Sequence, residues 1–198
     1  LDEPSIGLHL ADIQALLTLL QRIVDEGNTV CVIEHNMEIV KCADYCIDLG
    51  PGGGREGGHL LAAGRPEEIA ENDISPTAAF LKEALRGEAF TIETEHREEG
   101  TARSRAQRHS REGDSRAISI TGAREHNLKN LTVQIPRDLF VVVTGLSGAG
   151  KSTLLYDVVF SEGQRRYLDC LSPYARQFAE NLKRPDVDHI EGIPPTVA

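Results

Sequence analysis

The sequence predicts an α/β fold. Short β-branched runs alternate with amphipathic helical stretches, and one wholly apolar run leads straight into a glycine-rich turn. A polar stretch between them divides the chain into two patterned segments.

In the first segment, Ile13, Leu16, Leu17, Leu20, Ile23 and Val24 recur at helical spacing, which predicts an amphipathic helix from Ala11 to Glu26 with Gly27 as its stop. Thr29 to Ile33 (TVCVI) reads as a parallel strand covered on both faces. A helix from Asn36 to Ala43 and a strand from Tyr45 to Leu49 continue the alternation. Pro51 to Gly58 is a glycine-rich turn, and His59 to Ala63 returns as a strand. Pro66 suits the first position of a short helix with Glu67 and Glu68 at its positive end, and Ser75 to Leu85 forms a further helix.

Residues 87–116 mix Glu, Arg, Gly, Ser and Thr around Phe90 and Ile92, too little apolar surface to offset the entropy of ordering. They read as a flexible, disordered linker, or as the tip of a disordered insertion. Beyond it, Ile118 to Thr121, Leu131 to Ile135 and Leu139 to Thr144 (LFVVVT) are expected strands. Lys151 opens a helix to about Phe160, and a second helical stretch runs from Gln164 to Leu182 with a break near Pro173.

Composition narrows the function classes. Most of the net charge of −10 falls on residues 1–86, with 15 acidic and 6 basic side chains, whereas residues 117–198 carry 9 of each. The first segment is thus a poor candidate for gripping a DNA backbone. Cys31, Cys42, Cys46 and Cys170 form no CxxC pair, so zinc is not expected within these residues, and reduced thiols fit the cytosol. No signal peptide or bilayer-length apolar run is visible, and a cytoplasmic location is expected. The chain begins with Leu1 and its sole methionine is Met37, so it is expected to start inside a longer protein.

The strongest chemical signal is Gly145-Leu-Ser-Gly-Ala-Gly-Lys-Ser152, which matches GxxxxGK[ST] between an apolar strand and a helix. Glycines let the backbone wrap a phosphate and aim successive N–H groups at its oxygens, and a helix start adds the positive end of a dipole. Lys151 would reach the β- and γ-phosphates of ATP, and the Ser152 hydroxyl would ligate Mg²⁺. Leu1-Asp2-Glu3-Pro4, read as a strand end, would offer Asp2 to the metal and Glu3 to the attacking water; the alternative is an N-cap pair for the next helix. His35 stands at the carboxyl end of its strand, where it could contact a γ-phosphate or act structurally.

LDEPSIGLH resembles the end of a Walker B strand with its D-loop (Ser5 to His9), and VIEHN resembles the switch-histidine loop of ABC-type ATPases. These strings, with GNTVCVIEHNMEIVKCADYCIDLGPGGG, ITGAREHNLKNL, GLSGAGKSTL, EGQRRYLDCLSPYARQF and RPDVDHIEGIPP, resemble the UvrA family, the damage-sensing ABC-type subunit of the bacterial excinuclease. The likeness covers nearly everything outside residues 87–116.

The resemblance implies a P-loop nucleotide hydrolase of ABC type. It gives Gly145, Ser147, Gly148, Gly150, Lys151, Ser152 and Thr153 the phosphate-binding role, Asp2 that of magnesium ligand, Glu3 that of catalytic glutamate and His35 that of switch histidine. It further implies ATP and Mg²⁺ as cofactors, zinc only elsewhere in the parent, and damaged double-stranded DNA and a UvrB-like subunit as partners. An ABC ATPase of a transporter or another assembly is the alternative class.

An LSGGQ-like signature and a glutamine loop are missing from the sequence, and a Walker B end precedes a Walker A beginning. The chain is therefore read as two partial nucleotide-binding domains, 1–86 closing one and 117–198 opening another, joined by the linker 87–116. That order suggests a tandem assembly of such halves, with homodimerisation also open. It assigns Glu3 and Lys151 to different ATP sites, with one permuted site as the other arrangement, and poor turnover by the segment alone. Arg165, Arg166, Arg176, Lys183 and Arg184 among Tyr167, Tyr174 and Phe178 could grip nucleic acid, or be solvated arginines over an aromatic contact.

Overall fold

The computed structural model describes residues 1–87, 117–170 and 183–198. The linker, apart from Gly87, and the expected break near Pro173 with Tyr174, Arg176 and Phe178 lie outside the described residues.

The first segment forms α1 (Leu10–Asp25), β1 (Val30–Ile33), α2 (Met37–Val40), β2 (Tyr45–Gly50), β3 (His59–Gly64), α3 (Pro66–Ala70) and α4 (Pro76–Arg86). The second forms β4 (Ala117–Ala123), β5 (Leu131–Pro136), β6 (Phe140–Gly145), a π-helix (Thr153–Phe160), α5 (Ser161–Asp169) and β7 (His189–Glu191). Local chemistry sets the boundaries. Asp12 accepts the His9 N–H at the start of α1, and Gly27 follows its end at φ 85°, the left-handed conformation that stops a helix. The Ser75 hydroxyl caps α4 by accepting the N–H groups of Thr77 and Ala78, both at 3.1 Å.

Two sheets result. One has the order β1-β6-β2-β3, with β6 parallel to both neighbours and β3 antiparallel to β2. The other is antiparallel, in the order β5-β4-β7. The segments read as parts of two nucleotide-binding domains share the first sheet, because β6 of the second lies between β1 and β2 of the first.

All six residues of β6 are buried. Phe140 and Val142 face a core with Leu17, Leu20 and Ile39, while Val141 and Val143 face another with Ile120, Ile135, Leu154 and Val158. Covering both faces is what a parallel central strand requires, and it explains the unbroken apolar run. Backbone bonds strengthen the junction: Val30 N–H donates to Leu139 O at 3.0 Å, and the Asp44 carboxylate accepts the Phe140 N–H at 2.9 Å.

The helical region after Lys151 is continuous through Asp169, without the expected interval between Phe160 and Gln164. Gly163 lies inside this helix, and a Cβ there would lie 2.4 Å from Thr196 Cγ2. The glycine admits Ile193 and Thr196 of the same chain instead of ending the helix. Among the described residues no helix is long and apolar enough to cross a membrane.

Candidate nucleotide site

Strand β6 ends at Gly145 and delivers the chain into the GxxxxGK loop, where Gly145, Gly148 and Gly150 have φ of 130°, 76° and 102°. Only glycine adopts such angles without strain. The Gly145 position is also closed sterically, since a Cβ would stand 2.0 Å from Leu49 O. Ala149 N–H donates to Leu146 O at 3.0 Å, and Leu154 N–H donates to Gly150 O at 2.9 Å to start the helix.

Lys151 is buried, and its ammonium donates to Gly145 O at 3.1 Å and Leu146 O at 3.0 Å. Burial pushes its pKa below the ordinary lysine value, against the opposing pull of Glu3, Asp2 and Asp48. The side chain thus lies back along the loop within the field of three carboxylates.

The acidic pair arrives from the sheet's other side. Asp2 forms a parallel bridge with Ile33, and Glu3 N–H donates to Ile33 O at 2.9 Å, so residues 1–3 run along the edge of β1. This register brings Asp2 to Ser152, whose hydroxyl donates to Asp2 Oδ2 at 3.3 Å. A hydroxyl and a carboxylate at this spacing are the hard oxygen donors that Mg²⁺ takes, so the two residues fit the ion. Glu3 sits at φ 43°, a left-handed angle uncommon outside glycine, with Oε1 3.3 Å from His35 Nε2. Asp2, Glu3, His35, Lys151 and Ser152 are therefore brought together, as in the permuted arrangement, whereas motif order assigned Glu3 and Lys151 to different ATP sites. Ser147 and Thr153 flank them on the loop and on the first turn of the π-helix.

Sequence reasoning missed Glu34. It is buried, and its carboxylate accepts the N–H of Ser5 at 2.9 Å, of His35 at 3.0 Å and of Asn36 at 3.1 Å. One side chain thereby fixes both the loop after Glu3 and the loop carrying His35. The available signal was an acidic residue ending a wholly apolar strand, a position that requires hydrogen-bond partners.

Of the basic residues considered for nucleic acid, Arg165, Arg166 and Lys183 are held by carboxylates, Lys183 by Glu125. Arg165 pairs with Glu162 and Asp169, and Arg166 pairs with Glu162 and the carbonyl of Ile190. Cys42 follows α2 and Cys46 is buried in β2. Burial raises the Cys46 thiol pKa strongly and that of Cys31 to about 11, which keeps both protonated.

No family model matches the chain. Its relatives include UvrABC system protein A of Chlamydia muridarum, 39% identical over 199 residues, covering 100% of this chain and 10% of that protein. The protein of that name from Aquifex aeolicus is 43% identical, covering 98% of this chain and 18% of its own length. That of Bradyrhizobium diazoefficiens is 44% identical, at 98% and 17%. Among solved structures, UvrA2 from Deinococcus radiodurans is 50% identical over 42% of this chain and 10% of its own, with a TM-score of 0.39. The chain spans between a tenth and under a fifth of these curated relatives.

Proposed function

We propose, since the chain is a segment of UvrA-family sequence, that it supplies an ATP-binding and ATP-hydrolysing site to a subunit that recognises damaged DNA in nucleotide excision repair and loads a UvrB-like partner. The observation that carries the site is the 3.3 Å approach of Ser152 to Asp2. In this reading the amides between Gly145 and Ser152 wrap the β- and γ-phosphates of ATP, and the Lys151 ammonium leaves its carbonyl partners to neutralise them. Mg²⁺, when bound, would be held by Ser152 and Asp2 and would offset phosphate charge. Glu3 orients the water that attacks the γ-phosphorus as the bond to the β-phosphate oxygen breaks, giving ADP and phosphate. His35 holds Glu3 and senses the γ-phosphate. The P-loop assignment, the ABC-type architecture and a cytoplasmic home belong to the same proposal.

One site built by both segments is the arrangement the geometry supports best. A tandem of UvrA-like halves, in which Glu3 and Lys151 serve neighbouring sites, is favoured by a separate observation. A match of similar length covers 10% of the Chlamydia relative and 18% of the Aquifex one, so the former is much the longer protein. A double-mutant cycle separates them: Asp2→Asn and Ser152→Ala, singly and together, with Mg-ATP affinity as the readout. A shared site gives strongly non-additive losses; additive losses place the residues in different sites.

A further inference from the structure

Two loops meet behind the GxxxxGK turn: the Pro51–Gly58 loop, and Asn127 to Lys129 between β4 and β5. We propose that Asn127 and the Pro51–Gly58 loop are positioning elements that set the peptide orientations of the phosphate-binding turn; this rests on the proposed nucleotide site and extends it to residues that do not touch the nucleotide.

The carbonyls of the turn are held from behind. Gly148 O accepts the Gly54 N–H at 2.9 Å and the Asn127 side-chain amide at 2.8 Å. Ala149 O accepts the Gly58 N–H at 3.0 Å. In a trans peptide the carbonyl and the next N–H point to opposite sides. Fixing Gly148 O therefore directs the Ala149 N–H towards Leu146 O, and fixing Ala149 O turns the Gly150 N–H away from the Pro51–Gly58 loop. Asn127 also reaches Gly54 O at 3.3 Å, and Lys129 N–H donates to Gly58 O at 2.9 Å, so the turn and the two loops are joined pairwise.

Between the Pro51–Gly58 loop and the turn the contact is backbone on backbone, and it uses the glycines of GPGGGREGG that the sequence showed only as a turn. A Cβ on Gly53 would stand 2.4 Å from Ser147 O, and one on Gly57 would stand 3.0 Å from Ala149 Cα. One on Gly58 would stand 1.9 Å from Asn127 O. Gly53 has an ordinary φ of −104°, so alanine there carries no strain of its own and acts only by pushing on Ser147.

The test uses the full-length protein with Gly53→Ala, Asn127→Ala and Asn127→Asp, and with Gly87→Ala as control, because the Gly87 φ is −66° and its nearest neighbour lies at 3.5 Å. Calorimetry measures the affinities for Mg-ATP, Mg-ADP and inorganic pyrophosphate, and thermal unfolding is followed without ligand. A positioning role weakens all three ligands by a similar factor, on the order of tenfold or more, with little change in unliganded thermal midpoint. Asn127→Asp, which sets a carboxylate oxygen against two carbonyls, is the weakest binder, and Gly87→Ala binds as the parent does. If Gly53→Ala fails to fold, the Asn127 variants decide. Parent-like affinities in both Asn127 variants overturn the proposal and leave the nucleotide site standing. A parent protein that binds none of the three ligands overturns the nucleotide site itself.

Discussion

The Ser152 hydroxyl lies 3.3 Å from the Asp2 carboxylate although 150 positions separate them in the chain. The meeting follows from the sheet: residues 1–3 line the outer edge of β1, and β6 pairs with its inner edge and opens into the GxxxxGK turn. The residues can share one ion, so Asp2→Asn should raise the magnesium concentration for half-maximal nucleotide binding by about tenfold, the scale of a lost partner that holds the ion through water. A magnesium titration with a fluorescent ATP analogue measures it.

Glu3 and His35 form a pair that binding alone does not require. Glu3→Gln is expected to retain Mg-ATP affinity while turnover falls on the order of a hundredfold or more, the scale of a lost acid–base group. His35→Ala should also reduce kcat, since Glu3 then loses its partner at 3.3 Å. Parallel equilibrium binding and steady-state hydrolysis in the full-length protein distinguish loss of chemistry from loss of binding.

Phe140 is fully buried at the start of the central strand, in the core shared with Leu17 and Ile39 of the other segment. Phe140→Ala should cost about 3–5 kcal/mol of unfolding free energy, the usual range for an emptied aromatic site. A urea titration in two-state conditions reads the loss, and both segments should unfold together because they share the sheet.

Asp48 is buried in β2 and accepts hydrogen bonds from Ser75 at 2.5 Å and Thr77 at 2.9 Å. Burial raises its pKa above the ordinary 3.8, with the two hydroxyls and Lys151 acting in the opposite direction. The folded state therefore holds the proton more tightly than the unfolded one. The resulting stability is fully present below 3.8 and is lost as pH rises through the folded value. Asp48→Asn removes that dependence, so the variant should gain on the parent as pH rises from about 4 to about 7. Urea midpoints across that range give the comparison.

Local pattern made the elements legible: the period of α1, the Gly27 stop and the apolar run of β6 are written in neighbouring residues. The pairing of β1 with β6 was not, because parallel strands meet across long connections and side-chain pattern does not name a strand's neighbour. For the same reason Asp2, Glu3 and His35 were legible as residue types while their meeting with Lys151 was not. The role of Glu34, and the contacts of the Pro51–Gly58 glycines beyond their turn, were not legible because they are hydrogen bonds and close approaches to distant backbone.

Calorimetric titration of the full-length protein with Mg-ATP, beside its Lys151→Ala variant, bears most directly on the site. Saturable binding to the parent that the variant loses is the predicted result. Equal binding by both, or none by the parent, contradicts the assignment of the Gly145–Ser152 turn to phosphate.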